Sequence, residues 1–504
     1  EKVDRARRIG IGHRQIDVTA HRLVDHREII VGHAGRDLAH RSELVADEAI
    51  ATWSVATGLE PVKVNKHGFG SYRADNYDTL VDCPVEMGPF WSGSFVACGI
   101  PHRFVVAGAP PSFDGAKLLA DTQAICEAEI RFWHGDIIKN HSKTSKKDEG
   151  QSPIPFKSYV FMLNAVADGY GGLEHKNSTA LICKRADLPR LPRTTLAPTT
   201  HKQPEGYFTL LGLISHEYFH TWNVKRLRPA ELATYDYTQE NYTELLWFFE
   251  GFTSYYDDLL LRRAALIANA DYLKLLTKTL NGVAQTPGRK VQSVAQASFD
   301  AWIKYYRQDE NTPNATVSYY TKGSLVALCL DLTLRAEGRT TLDAVMRGLW
   351  ARCQGGPMSE QDLLAVLQQL GERSFAPELA HWVHSTKELP SVALLEQHGI
   401  QVHQEPDQVA QQLGLRVKEN GGLLIQHVLR GGVAEKAGFA SGDEWIAVQP
   451  GGYGAWRLQT LDDFTLYAGN AKKVTAIVSR DKRLLNLPLT LPKPSHAVRL
   501  SVRD

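Results

Sequence analysis

The sequence lacks a net charge, a long apolar run and any closely spaced cysteine pair. Its 57 Lys and Arg nearly balance 56 Asp and Glu, giving a formal charge of +1. That balance makes neither nucleic acid nor an anionic membrane a natural main partner. No apolar run approaches the ~18 residues of a transmembrane helix. The six cysteines, Cys83, Cys98, Cys126, Cys183, Cys329 and Cys353, include no CxxC pair. Most stand among apolar neighbours and read as buried free thiols, which points to a reducing, cytoplasmic setting. The chain opens at Glu1 without Met and without a signal-peptide pattern, so an original targeting segment is left open. Aromatic residues are absent before Trp53, and hydrophobic periodicity is weak there. His13, His21, His26, His33 and His40 fall in this stretch among arginines. Their spacing fits no metal-ligand pattern. Residues 1–50 therefore read as an unassigned segment, disordered or foreign to the natural protein.

Against these absences stands one run, Ser215-His216-Glu217-Tyr218-Phe219-His220. It reads HExxH. On a helix, positions i and i+4 share a face, so His216 and His220 can grip one Zn²⁺. Glu217 lies about 100° around the helix from His216 and is placed for proton transfer rather than ligation. A third ligand is offered thirty positions on, in Leu246-Trp247-Phe248-Phe249-Glu250-Gly251-Phe252-Thr253-Ser254-Tyr255-Tyr256. This long apolar segment without Pro predicts a buried helix. A carboxylate there is costly unless a cation or hydrogen-bond donors compensate it, and a metal would do so. His₂Glu leaves the fourth zinc position for water, as in catalytic rather than structural sites.

These stretches resemble the glycyl aminopeptidase family, PDZ-containing gluzincin zinc metallopeptidases distantly similar to aminopeptidase N. HEYFHTWNVKRLRP and WFFEGFTSYY carry the likeness, and two further segments extend it. Tyr170-Gly171-Gly172-Leu173-Glu174-His175 is similar to the family's Gly-Gly-x-Glu-His segment. Tyr319-Tyr320-Thr321-Lys322-Gly323 is similar to the Tyr-x-Lys-Gly segment that carries the catalytic tyrosine. The four motifs stand in the family's order, and the likeness covers roughly residues 70–490.

The resemblance implies a multidomain α+β protein; a length of 504 residues suggests about three domains. Residues 51–110 read as a partial N-terminal β-rich domain, 111–270 as a thermolysin-like catalytic domain and 271–388 as its helical extension. Residues 389–495 read as a PDZ-like domain, entered through a hinge at Lys387–Pro390. The zinc helix should start near Gly206 and end before Pro229. In the last domain the loop Leu413-Gly414-Leu415 could hold a C-terminal carboxylate through its amides while a peptide adds as a strand. A PDZ fold used only for packing is equally compatible with the sequence.

The implied activity is removal of N-terminal residues, Gly or Ala by family likeness, from peptides with a free N-terminus. Zn²⁺ on His216, His220 and Glu250 would be the one cofactor. Glu217 would act as base and acid, and Tyr320 would donate to the oxyanion, with Tyr319 next to it as the other candidate. Gly171 and Gly172 would let the backbone approach the substrate, and Glu174 would take the α-amino group. Asn223 and Thr253 are candidates for orienting the ligands. A zinc endopeptidase, or a peptide-binding scaffold with a vestigial zinc site, are the alternatives.

Overall fold

The computed structural model describes residues 14–18, 52–141, 153–192 and 203–502. Most of the segment 1–50, and the polar stretch around Lys146, lie outside the described residues. The architecture is mixed α/β, with a β-rich N-terminal part. The chain folds into two compact units, residues 1–226 with 260–267, and residues 227–259 with 268–504.

The first unit begins with short strands. β1 (Arg14–Val18), β4 (Gly70–Ala74) and β3 (Glu60–Val64) form one small sheet, and β2 (Ser54–Thr57) pairs with β5 (Val85–Gly88). The short helix α1 (Tyr77–Val81) sits between β4 and β5 and ends at Asp82. The main sheet has five strands in the order β6 (Trp91–Ala97), β7 (Ile100–Ala107), β8 (Tyr159–Val166), β10 (Ser178–Lys184), β9 (Gly171–Glu174). β7, β8 and β10 run parallel; β6 and β9 are antiparallel edges. This sheet runs across the boundary expected at residue 110, because β7 pairs directly with β8. Alternation in β6 and β7 identifies strands but carries no record of their partners.

Two helices pack on this sheet. α2 (Gly115–His141) bends at Gly135, whose φ of 40° leaves the helical region. α3 (Glu205–Phe219) carries the HExxH run and is apolar on nearly every face: Leu210, Leu211, Leu213, Ile214 and Phe219 are all buried. Such a helix belongs in an interior. Ser215 Oγ donates to Glu129 Oε1 of α2 at 3.0 Å. Behind α3, Tyr218 meets Tyr159 edge-on at 4.9 Å between ring centres, and its hydroxyl lies 2.8 Å from His102 Nε2. His102 Nδ1 donates to the Ile100 carbonyl, so Nε2 is the acceptor. Burial drives the His102 pKa down to about 4, keeping it neutral there.

The second unit is helical, then β-rich. Its helices are α4 (Leu246–Arg263, to Leu259 within this unit), α5 (Asn269–Ala284), α6 (Val294–Phe299), α7 (Thr312–Ala315), α8 (Tyr319–Glu337), α9 (Leu342–Cys353), α10 (Glu360–Gly371), α11 (Ala376–Trp382) and α12 (Ser391–Gln397). A two-residue pair joins β11 (Arg228–Pro229) to β12 (Pro357–Met358). Then β13 (Ile400–Pro406) pairs with β20 (His496–Val502). An antiparallel sheet follows in the order β14 (Leu415–Glu419), β15 (Leu423–Val428), β16 (Glu444–Pro450), β18 (Lys473–Arg480), β19 (Arg483–Thr490), with β17 (Trp456–Arg457) on β16. Three short helices, α13 (Val409–Leu413), α14 (Val433–Ala437) and α15 (Leu461–Ala468), accompany it. Its core gathers Leu415, Ile425, Phe439, Trp445, Phe464 and Val478.

Residues 227–259 and 268–504 form one compact unit, so the hinge expected at Lys387–Pro390 does not separate two of them. Hydrogen bonds distant in sequence account for this. Asn314 Nδ2 donates to the Val428 carbonyl and Asn314 Oδ1 accepts from Arg430 N–H, both at 2.8 Å. Asn281 makes a matching pair with Val498. All six cysteines are free, and four of them are buried. Among the described residues no helix is long and apolar enough to cross a membrane.

Candidate active site

α3 ends at Phe219, earlier than the limit set by Pro229, and His220 is its C-cap. The two histidines therefore straddle the last turn. Their Nε2 atoms lie 3.1 Å apart. His220 Nδ1 donates to the Asn223 carbonyl at 2.7 Å. That bond fixes the tautomer and leaves a lone pair on Nε2. Asn223 thus orients His220 through its backbone. Thr253 turns its hydroxyl onto its own helix, donating to the Phe249 carbonyl at 2.6 Å.

One ligand atom from each of His216, His220 and Glu250 falls within 4.8 Å of the others. Two imidazole nitrogens and a carboxylate oxygen converging in this way are a donor set that suits a divalent zinc ion.

Glu217 is buried, at 4% exposure. Its carboxylate lies against the strand β9. A Cβ on Gly172 would fall 2.1 Å from Glu217 Oε1, so a side chain there would displace the Glu217 carboxylate. Gly171 has open space where its Cβ would be. Glu174 closes β9, partly exposed, opposite Thr179 of β10.

Tyr319 and Tyr320 occupy the first turn of α8, whose N-cap is Ser318; its hydroxyl accepts from Thr321 N–H. Tyr319 is wholly buried. Tyr320 is partly exposed, and its hydroxyl is 3.1 Å from that of Tyr306. Burial, followed by the nearby Glu250 carboxylate, raises the Tyr320 phenol far above its ordinary range. The group therefore stays protonated, a hydrogen-bond donor at any working pH.

Residues 209–326 match the M61 glycyl aminopeptidase pattern, and residues 29–89 match the Peptidase M61 N-terminal domain. A solved aminopeptidase N family protein from Idiomarina loihiensis is 34% identical, with a TM-score of 0.79 over 90% of this chain and 75% of that one. The chain belongs to the M61 glycyl aminopeptidase family. It is a peptidase. An M1 zinc metallopeptidase from Deinococcus radiodurans is 15% identical at a TM-score of 0.42, covering 68% of this chain and 63% of that one. A mutant of it bound to a Tyr-Ser-Ala substrate is 15% identical at 0.41, covering 68% and 62%. No curated protein matched.

The M61 N-terminal match begins at residue 29, inside the stretch read above as unassigned. The sequence there has too little periodicity and too few aromatics to announce a domain. The structure also brings forward residues that motif reading passed over. Gly251 and Gly323 touch: a Cβ on Gly251 would lie 2.6 Å from Gly323 Cα, so α4 and α8 cross backbone to backbone beside Glu250 and Tyr320. Glycines at like offsets in two motifs were the available signal. Asp82 ties the end of β9 to the turn that follows His220, and nothing around it in the sequence marks it. At the far end of the chain, Leu413 and Leu415 are core residues, and Gly414, at φ 75°, is the left-handed cap of α13. Gly414 N–H donates to the Gln411 carbonyl at 3.0 Å.

Proposed function

We propose that this M61 peptidase is a zinc-dependent aminopeptidase that removes small N-terminal residues, Gly or Ala, from peptides with a free α-amino group. The observation that carries the zinc reading is the convergence of His216, His220 and Glu250. Zn²⁺ held there would polarise the scissile carbonyl and promote ionisation of water. Glu217, buried against Gly172 and next in sequence to His216, takes the proton from the attacking water and passes it to the leaving amine. Tyr320, kept protonated, donates a hydrogen bond to the oxyanion as the carbonyl becomes tetrahedral. Its partial exposure favours it over the buried Tyr319. Glu174, at the end of the edge strand β9, accepts charge-assisted hydrogen bonds from the substrate's ammonium, each worth roughly 1.5–3 kcal/mol. That contact sets the first peptide bond as the one cleaved. Side-chain-free Gly171 and Gly172 let the extended substrate lie along the strand.

The C-terminal sheet we read as a PDZ-like module used for packing. The engaged Gly414 amide and the buried Leu413 and Leu415 favour this over carboxylate capture.

The experiment measures zinc content, then compares a free Gly- or Ala-initiated peptide with its N-acetylated twin, in wild type and in Glu174→Ala. Cleavage of the free peptide alone, lost or strongly weakened in the variant, is expected. Equal cleavage of both peptides by wild type would identify an endopeptidase and remove Glu174 from the site.

A further inference from the structure

Asp82 lies outside every motif, just after α1, yet its side chain is mostly buried (14% exposed). Its carboxylate has three partners. Lys225 Nζ is 2.7 Å away, Lys176 N–H donates at 2.8 Å and His175 Nδ1 lies at 3.4 Å. His175 and Lys176 directly follow Glu174 at the end of β9. Lys225 belongs to the turn that begins at His220, where its own N–H donates to the His220 carbonyl at 3.0 Å. One carboxylate therefore bridges the Glu174 strand and the turn behind the second histidine.

That turn is strained. Val224, between Asn223 and Lys225, sits at φ 131°, a region a β-branched residue enters only when its surroundings fix it there. Arg226 adds a strap beside Asp82: one guanidinium nitrogen donates to the Lys176 carbonyl at 2.9 Å and to Thr221 O at 2.7 Å. The backbone of Lys176 is thus held at its N–H by Asp82 and at its carbonyl by Arg226. A hydrogen-bonded charge in a mostly buried setting holds geometry tightly.

We infer that Asp82 is a positioning residue for recognition of the substrate N-terminus: it pins the end of β9 so that Glu174 is held where the α-ammonium must sit. The inference rests on the amine-anchoring role proposed above for Glu174. Asp82 touches no substrate in this scheme; it acts through the strand end it anchors.

The test is a double-mutant cycle on the full-length protein, with a free Ala-initiated peptide and its N-acetylated twin. Asp82→Asn is expected to raise KM for the free peptide roughly tenfold, with kcat within about threefold of wild type and zinc content unchanged. In a Glu174→Ala background the same substitution should add almost nothing, because the group it positions is gone. A general loss of structure would instead multiply through both backgrounds, and that result overturns the inference, as does an unchanged KM. Asp82→Asn removes the carboxylate 2.7 Å from the Lys225 ammonium, so D82N/K225Q is measured beside it and judged by the same criteria. If neither variant folds, Asp82 is a folding residue and the proposal falls. If Glu174→Ala alone leaves KM unchanged, the reading of Glu174 has failed and takes this one with it; an effect of Glu174→Ala without an effect of Asp82→Asn refutes only the role of Asp82.

Discussion

Adding one methyl group at Gly323 should cripple the enzyme without touching a reacting group. An ideal Cβ on Gly323 falls 2.5 Å from the Trp247 carbonyl oxygen and 3.0 Å from Gly251 Cα. Non-bonded carbon atoms settle at about 3.5–4.0 Å, so α4 and α8 must part by about 1 Å. The obstacles are backbone atoms, which cannot swing aside as a flexible side chain would. Overpacking of this kind costs roughly 1–3 kcal/mol, and at about 2–4 °C per kcal/mol the melting temperature should fall by several degrees. The larger effect is kinetic. Gly323 is one helical turn from Tyr320, on the same face, and Gly251 directly follows Glu250. Parting the helices moves Tyr320, the proposed oxyanion donor, away from Glu250, the proposed carboxylate ligand, and a displacement near 1 Å can cost about 10²-fold in rate.

The assay is kcat on a free peptide beside a thermal melt and a zinc measurement for Gly323→Ala. Gly251→Ala, whose Cβ would meet Gly323 Cα at 2.6 Å, should reproduce the defect. The double variant should be little worse than either single one, since helices already apart accept the second methyl cheaply. Wild-type kcat and melting in Gly323→Ala would refute the claim that this crossing sets the place of Tyr320.

Other outcomes follow from single residues. His220→Ala should lose zinc, read by metal analysis after dialysis; full retention of zinc would remove His220 from the ligand set. Glu217→Gln should keep zinc and lose roughly 10²-fold or more in kcat; near-normal turnover would show that the proton goes elsewhere. Tyr320→Phe should be about as damaging, while Tyr319→Phe should chiefly affect stability; the reverse pattern would exchange their roles. Asp82 also predicts an acid response. Burial alone would raise its carboxyl, but the hydrogen bond from His175 and the Lys225 ammonium outweigh it and hold the pKa at about 2, against 3.8 ordinarily. A lowered folded pKa stabilises above the unfolded value, so about 2 kcal/mol is present above pH 4 and is lost as pH falls towards 2. Asp82→Asn should flatten the fall in stability across that window, measured by denaturant midpoints; an unchanged slope would mean that the ion pair contributes nothing there.

What could be read from the sequence, and what could not, divides along a physical line. His216, Glu217 and His220 are legible because a helix converts a spacing of one and four residues directly into geometry. Glu250 is legible because a carboxylate within an aromatic, unbroken helix asks for a counter-charge. Both inferences need only local structure. The strands at 91–107 were legible as strands, but their membership of a sheet with 159–184 was not, since alternation specifies a face and says nothing of neighbours. The same limit hid Asp82. Its partners lie 93 and 94 positions along the chain in His175 and Lys176, and farther still in Lys225. No periodicity links such positions. Yet the sequence around Asp82 had less freedom than it seemed: a mostly buried carboxylate carrying three partners cannot be exchanged for a neutral side chain without losing its ion pair with Lys225. Motif residues perform the chemistry under the reading above, and chance spacing can imitate them. A residue that ties two motif-bearing segments together leaves no local trace, and only the folded chain distinguishes it from an ordinary loop aspartate.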